Sequence, residues 1–119
     1  MARVLIVDDV ESEVTRMSEL LRERGHECLE AHDGAQAYYL AKTKQPDVIL
    51  LDVIMGGNDG FSTCRRLKAD QETENIPVVF VTGQADDNGR WWGLRIGAAD
   101  YLTKPVAVET LVETVQRLA

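Results

Sequence analysis

The stretch Val48-Ile49-Leu50-Leu51-Asp52 is four branched apolar residues closed by an acid, with two glycines soon after at Gly56 and Gly57. An apolar run this short, carrying β-branched residues and bounded by loop signals, predicts a strand buried on both faces, as in a parallel sheet. Asp52 then stands where that strand emerges. In open α/β sheets ligands bind in the crevice outside the carboxyl ends of the strands, so a carboxylate there is placed for chemistry.

Toward the N-terminus, Arg3-Val4-Leu5-Ile6-Val7 is a second continuous apolar run, and it too ends in acid, at Asp8-Asp9. Ser12 to Arg24 carries Val14, Met17, Leu20 and Leu21 at helical spacing, with Gly25 where a left-handed C-terminal cap belongs. Glu27 to Ala31 is a shorter, weaker strand. Asp33-Gly34-Ala35-Gln36 has the form of a capping box and opens a helix that should end near Lys44, because Pro46 disfavours helix at the residue before it.

On the other side of Asp52, Asp59 can cap a helix with Phe61, Cys64 and Leu67 on one side, ending around Ala69. Pro77 to Thr82 is the fourth strand, its proline at the first position, where no ladder hydrogen bond is lost. A loop from Gly83 to Asp87 leads into a helix that ends near Ile96, with Gly97 as its cap. Asp100-Tyr101-Leu102 is a short fifth strand, and a final helix from Val108 sets Leu111, Val112, Val115 and Leu118 on one face.

Strand and helix therefore alternate five times, with no internal repeat and no low-complexity linker. Right-handed crossovers then require an α/β fold: a doubly wound five-stranded parallel sheet with helices on both faces, a three-layer sandwich. The pattern by itself leaves the strand order open.

A chain of 119 residues predicts one domain, residues 1–119, with a single core. The hydrophobic fraction of 45% and charged fraction of 28% are those of a globular protein and unlike a disordered one. With 20 acidic against 13 basic residues the net charge is −7, which opposes nonspecific attraction to nucleic acid or anionic membrane. Met1-Ala2-Arg3 runs straight into a strand without a signal peptide, and no apolar run approaches the roughly 18 residues of a membrane span; a cytoplasmic location is the expectation. Cys28 and Cys64 lack CxxC spacing or partner histidines and are read as small buried hydrophobes.

The residues at the carboxyl ends of the strands define the candidate site. Asp8 and Asp9 follow the first strand, Asp52 the third, Thr82 closes the fourth, and Lys104 lies just past the fifth. Crowded carboxylates raise one another's pKa unless a cation neutralises them. Oxygen-only ligands favour a hard ion such as Mg²⁺. With Lys104 as a point charge and Thr82 as a hydroxyl donor, the crevice suits the oxygens of a phosphoryl group. An Asp carboxylate is then the natural acceptor, forming an acyl phosphate by nucleophilic attack.

In Asp8-Asp9, Asp52, Thr82-Gly83 and Lys104-Pro105, at these separations and over the whole chain, the sequence resembles the receiver domains of two-component response regulators. The resemblance implies a flavodoxin-like fold with strand order 2-1-3-4-5. It implies that Asp52 is the phosphoacceptor, taking its phosphoryl group from a histidine kinase. Asp9 would ligate Mg²⁺ (or Mn²⁺ in its place) directly and Asp8 mainly through water, with Asp52 and the backbone carbonyl of Ile54 completing the protein ligands. Lys104 would pair with Asp52 and then with its phosphate. Thr82 would swing inward onto that phosphate, and Tyr101, at the aromatic switch position, would follow it. The bond between Lys104 and Pro105 would be cis. Ile54 and Gln84, each two residues beyond a site residue, would tune the lifetime of the phosphate.

Output would run through the face of the fourth helix, fifth strand and fifth helix to a protein partner. The resemblance implies a signalling domain rather than an enzyme with an external substrate, without direct nucleic-acid contact, as a monomer or weak homodimer. Trp92-Gly93, Gly97-Ala98 and Asp100-Tyr101-Leu102-Thr103-Lys104-Pro105-Val106 further resemble the stand-alone chemotaxis-type receivers that serve type IV pilus twitching motility. One departure stands out: Gly56-Gly57-Asn58-Asp59-Gly60 has no proline where many receivers have one after Met, which implies a more mobile loop when metal is absent.

Read without the family, Tyr101 is a partly buried aromatic packing on the fifth helix. Trp91 and Trp92, adjacent on a helix, point about 100° apart, so at least one should be exposed, as a candidate partner anchor. His26 and His32 flank the weak second strand and are read as neither phosphoacceptor nor ligand. An aspartate-nucleophile phosphohydrolase would carry a second Asp where Ile54 stands; a flavin or nucleotide binder would carry a glycine-rich loop after the first strand. A phosphate-independent module would have lost a site residue, and none is missing.

Overall fold

The computed structural model describes residues 1–55, 58–83 and 87–119. Five of its strands, β1 (Arg3–Val7), β2 (Glu27–Ala31), β3 (Val48–Leu51), β4 (Val78–Thr82) and β5 (Asp100–Thr103), form one parallel sheet of order β2-β1-β3-β4-β5. The described residues also form helices α1 (Glu11–Glu23), α2 (Gly34–Lys44), α3 (Gly60–Ala69), α4 (Asp87–Arg95) and α5 (Val108–Leu118). This is the doubly wound, flavodoxin-like sandwich that the alternation and the resemblance predict.

The unbroken apolar strands follow from burial on both faces. Side chains alternate along a strand, so Leu5, Val7, Ile49, Leu51, Val78 and Phe80 join one core cluster with Ala37 and Ala41 of α2 and Cys64 and Leu67 of α3. Val4, Ile6, Val48, Leu50, Val79 and Val81 join the other, with Val14, Met17 and Leu21 of α1 and Leu111, Val112 and Val115 of α5. Cys28 and Cys64 are both buried and free, one in each layer. No helix among the described residues is long and apolar enough to cross a membrane.

Helix ends follow the local signals. Gly25 and Gly97 hold φ of +89° and +113°, the left-handed conformation foreseen for caps. Asp33 accepts the Gln36 N–H at 2.7 Å, and the Gln36 side chain returns to the N–H of His32 at 2.9 Å, one residue earlier than an ideal capping box. Asp59 accepts the Ser62 N–H at 2.7 Å. Helix α2 does end at Lys44, through a left-handed Gln45 at φ 48° whose side-chain amide donates to the carbonyls of Ala41, Lys42 and Glu72. Those bonds compensate a conformation that glycine would adopt more readily.

Two expectations need correction. Where the sequence predicts only a loop after Asp52, Ile54–Met55 pairs with Asn58–Asp59 in a two-residue antiparallel ladder. Gly56 and Gly57 lie outside the described residues, and with them the expectation about loop mobility; Gln84 lies outside them too. Tyr101, read as partly buried against the fifth helix, is 2% exposed and packs instead on Phe80 and beneath Gly93 of α4. The exposure expected of at least one tryptophan holds for both: Trp91 and Trp92 are exposed, at 54% and 50%, their rings meeting edge to face at 5.2 Å.

Strand β5 ends the sheet, and the backbone of Tyr101 there is held by side chains. Its N–H donates to Asp100 Oδ1 at 2.8 Å, and its carbonyl accepts from Arg90 Nη1 of α4 at 3.0 Å. Asp100 Oδ2 in turn takes Arg117 Nη2 of α5 at 2.8 Å. One chain of polar contacts therefore joins α4, β5 and α5.

Candidate functional site

Parallel strands deliver their carboxyl ends to one edge, and the site lies there. Asp8 leaves β1 with its N–H on the Ala31 carbonyl at 3.2 Å, and Asp52 leaves β3 with its N–H on the Val7 carbonyl at 3.0 Å. The sheet's own ladder, continued one residue past each strand, therefore sets the two carboxylates side by side. Lys104 arrives from β5, its N–H bonded to the Thr82 carbonyl at 2.8 Å, and the Lys104–Pro105 bond is cis, as the resemblance implied.

The Lys104 ammonium bridges the two acids, 2.6 Å from Asp8 Oδ2 and 3.1 Å from Asp52 Oδ2. Each carboxylate spends its other oxygen on backbone: Asp8 Oδ1 accepts the Val10 N–H at 3.0 Å, and Asp52 Oδ1 the Ile54 N–H at 3.2 Å. Burial pushes the Asp8 carboxyl above the usual range, more than the Lys104 ammonium and the Val10 N–H pull it down, and the charge of Asp52 adds to the rise. Burial also works against the charge on Lys104, but its bonds to Asp8 and Asp52 prevail and hold it above the ordinary lysine value.

Thr82 closes β4 fully buried, opposite Thr103. Asp9 is exposed, two residues before α1 begins. Ile54 is exposed, with its N–H turned to Asp52. The structure thus brings Asp8, Asp52 and Lys104 into direct contact and places Thr82 at the adjoining strand end. Among the described residues, no three acidic, histidine or cysteine side chains gather closely enough to hold a metal by themselves. The donor chemistry still fits a hard divalent ion: carboxylate and carbonyl oxygens only, two of the carboxylates already sharing one positive charge.

Three contributors escaped the sequence reading. Glu13 Oε1 lies 3.7 Å from Lys104 Nζ, and its place in the first turn of α1, directly after the acid pair, was the available signal. Arg16, nearly one turn of helix further on, donates to the Val106 carbonyl at 3.4 Å; with Glu13 and Lys104 it lines a cleft of about 400 Å³ between α1 and the segment joining β5 to α5. Gly60 lies so close beneath the site that a Cβ there would stand 2.0 Å from the Asp52 carbonyl oxygen. The cap signal at Asp59 gave no hint of that approach.

A parallel sheet that presents a lysine-bridged pair of acids at its carboxyl edge, with a threonine ending the adjoining strand, has the construction of a signalling receiver. The family model for the response regulator receiver domain matches residues 4–116, and the chain belongs to that family, the receiver domains of two-component systems. It is 45% identical over 115 residues to protein PilH of Pseudomonas aeruginosa, covering 97% of this chain and 95% of PilH. It is 46% identical over 105 residues to the response regulator PleD of Caulobacter vibrioides, covering 88% of this chain but 23% of PleD. Among solved structures, the chemotaxis protein CheY4 of Vibrio cholerae superposes with a TM-score of 0.93 at 33% identity, over 100% of this chain and 99% of that one. The receiver domain of a sensor histidine kinase of Pseudomonas aeruginosa, described with a magnesium ion coordinated in its active site cleft, matches with a TM-score of 0.90 at 30% identity, covering 98% of this chain and 96% of that one.

Proposed function

We propose that residues 1–119 form one receiver domain that works as a phosphorylation switch, with Asp52 as phosphoacceptor. The observation that carries this reading is the Lys104 ammonium 3.1 Å from Asp52 Oδ2, with the buried Asp8 beside it. In the transfer, a carboxylate oxygen of Asp52 attacks the phosphorus of a histidine kinase's phosphohistidine; the new O–P bond forms as the N–P bond breaks, and the imidazole leaves with the electron pair. Lys104 meets the charge that develops on the phosphoryl oxygens, and Thr82 supplies a hydroxyl to one of them.

Asp8, Asp9, Asp52 and the Ile54 carbonyl are the groups that would hold Mg²⁺, with Mn²⁺ as a substitute. Such an ion supplies neutralising charge to the phosphoryl oxygens. The fit of the oxygen donors supports this assignment, as does the magnesium described in the similar receiver.

The output surface is the α4–β5–α5 face, where Arg90, the Tyr101 backbone, Asp100 and Arg117 are tied together and where Trp91 and Trp92 stand exposed as anchors for a protein partner. The likeness to PilH over nearly its full length supports a stand-alone, chemotaxis-type receiver of twitching motility. In this reading the chain acts in the cytoplasm, as a monomer or weak homodimer, through protein contact and without binding nucleic acid.

The test is titration with beryllofluoride in the presence of Mg²⁺, followed by Trp fluorescence and NMR, for the wild type and Asp52→Asn. A saturable, Mg²⁺-dependent response in the wild type that is lost in Asp52→Asn is expected. A wild type that gives no such response defeats the reading.

A further inference from the structure

Helix α4 carries a glycine where its own propensity would favour alanine. Gly93 is buried in the interior of α4, and a Cβ built on it would meet Cδ2 of Tyr101 at 3.0 Å and Cδ2 of Phe80 at 3.0 Å. Carbon atoms pack at about 3.5 to 4 Å, so a methyl group there would have to displace a ring.

The two rings are not equally free to yield. Phe80 belongs to β4, inside the sheet, and is held by two rings, Phe61 edge to face at 5.2 Å and Tyr101 tilted at 5.9 Å. Tyr101 belongs to β5, the last strand, with the sheet on one side only. The ring that gives way is therefore that of Tyr101.

Arg90 lies one helical turn before Gly93, on the same face of α4. Its guanidinium takes the Tyr101 carbonyl at 3.0 Å. Within one turn, α4 thus holds the backbone of Tyr101 with one residue and leaves room for its ring with another.

We propose that Gly93 and Arg90 are positioning residues that seat Tyr101 in its buried place beneath α4, so that the helix itself biases the aromatic half of the switch toward the inward position. This deepens the phosphorylation reading and rests on it. If burial of the ring favours the activated arrangement, phosphate binding works against a smaller conformational cost in this chain than it would with a bulkier residue at 93. Ligand affinity falls in proportion to the fraction of molecules in the competent state.

The test uses the full chain with 3-fluorotyrosine incorporated, the Tyr101 resonance being assigned by its loss in Tyr101→Phe. Fluorine NMR then follows the ring with and without beryllofluoride and Mg²⁺. In the wild type the ring is expected to give one buried, solvent-protected resonance under both conditions. Gly93→Ala is expected to add a solvent-exposed resonance whose share falls as beryllofluoride is added, with apparent beryllofluoride affinity weakened roughly threefold or more. Arg90→Met should move both readings the same way, and it carries the test alone if Gly93→Ala does not fold.

A wild-type ring that is exposed until beryllofluoride binds, or substitutions that leave the ring resonance unchanged, would overturn the proposal. A wild type that binds no beryllofluoride, yet keeps a buried ring that Gly93→Ala exposes, defeats the phosphorylation reading instead and leaves the seat intact.

Discussion

The ammonium of Lys104 stands 2.6 Å from Oδ2 of Asp8, a side chain with no exposed surface, closer than it stands to the proposed phosphoacceptor. The lysine thus serves a buried anion as well as the proposed chemistry. Lys104→Ala strands that anion and should lower stability by about 2 to 3 kcal/mol in urea denaturation at pH 7 without metal. Asp8→Asn keeps an acceptor for the Val10 N–H and removes the charge that burial penalises, so its stability should equal or exceed the wild type by up to about 1 kcal/mol. In the same samples, Lys104→Ala should retain Mg²⁺ binding but lose the beryllofluoride response, whereas Asp8→Asn should bind Mg²⁺ more weakly. Equal stability losses in both variants would contradict this division of roles.

The histidine at the start of β2 predicts a pH dependence. The Ala2 N–H donates to Nδ1 of buried His26 at 3.0 Å, which puts the ring's proton on Nε2, an atom without a hydrogen-bond partner among the described residues. Burial, with the nearby terminal amine adding repulsion, holds the His26 pKa below the ordinary histidine value. Below about pH 6.5 the unfolded chain then binds a proton that the folded chain refuses, so stability should fall as pH drops from about 6.5 toward the lowered value. Urea midpoints measured from pH 7.5 to 5.5 should show that decline in the wild type and a flatter profile in His26→Leu.

Two glycines near the site should respond very unequally to alanine. At Gly60 the new methyl group would meet the Asp52 carbonyl oxygen at 2.0 Å and the Val53 Cα at 2.9 Å, both backbone atoms that cannot step aside. A loss of about 2 to 3 kcal/mol or failure to fold is expected. Gly83 has nothing within 4 Å of the same construction among the described residues, and Gly83→Ala should change stability by less than about 1 kcal/mol. Thermal denaturation of the pair checks both.

Both tryptophans of the chain lie half exposed on α4, with the Arg95 guanidinium 5.0 Å from the Trp91 ring centre. Intrinsic fluorescence should be solvent-exposed in character and quenched by iodide, and Trp91→Ala or Trp92→Ala should each cost less than about 1 kcal/mol of stability. A large loss on either substitution would mark that ring as structural support rather than partner surface.

The fold was legible in the sequence wherever one physical cause dominated locally. Strands buried on both faces must be apolar, and β3 is throughout, as are β1 after Arg3 and β4 up to Thr82; helix ends need caps, and Asp33, Asp59, Gly25 and Gly97 provide them. The acid pair and the lysine were legible because parallel strands end on one edge. What stayed hidden depends on distances between segments far apart in the chain. Nothing local to Gly60 announces the Asp52 carbonyl above it, and nothing local to Gly93 announces the ring of Tyr101. The left-handed Gln45 was hidden for the same reason, since one of the bonds that support it comes from Glu72. The ladder between Ile54–Met55 and Asn58–Asp59 is too short to leave a periodic signature.

The bonds that Asp100 and Arg90 make to the Tyr101 backbone carry one more consequence. The free margin of a sheet is a template on which another molecule's strand can crystallise its own ladder, and unguarded margins polymerise. Here an incoming strand finds the amide and the carbonyl of that residue already engaged, so copies of the chain meeting at this margin are steered away from fusing their sheets. The surface proposed to speak to a partner can then be crowded with apolar rings without also becoming a seed for fibres.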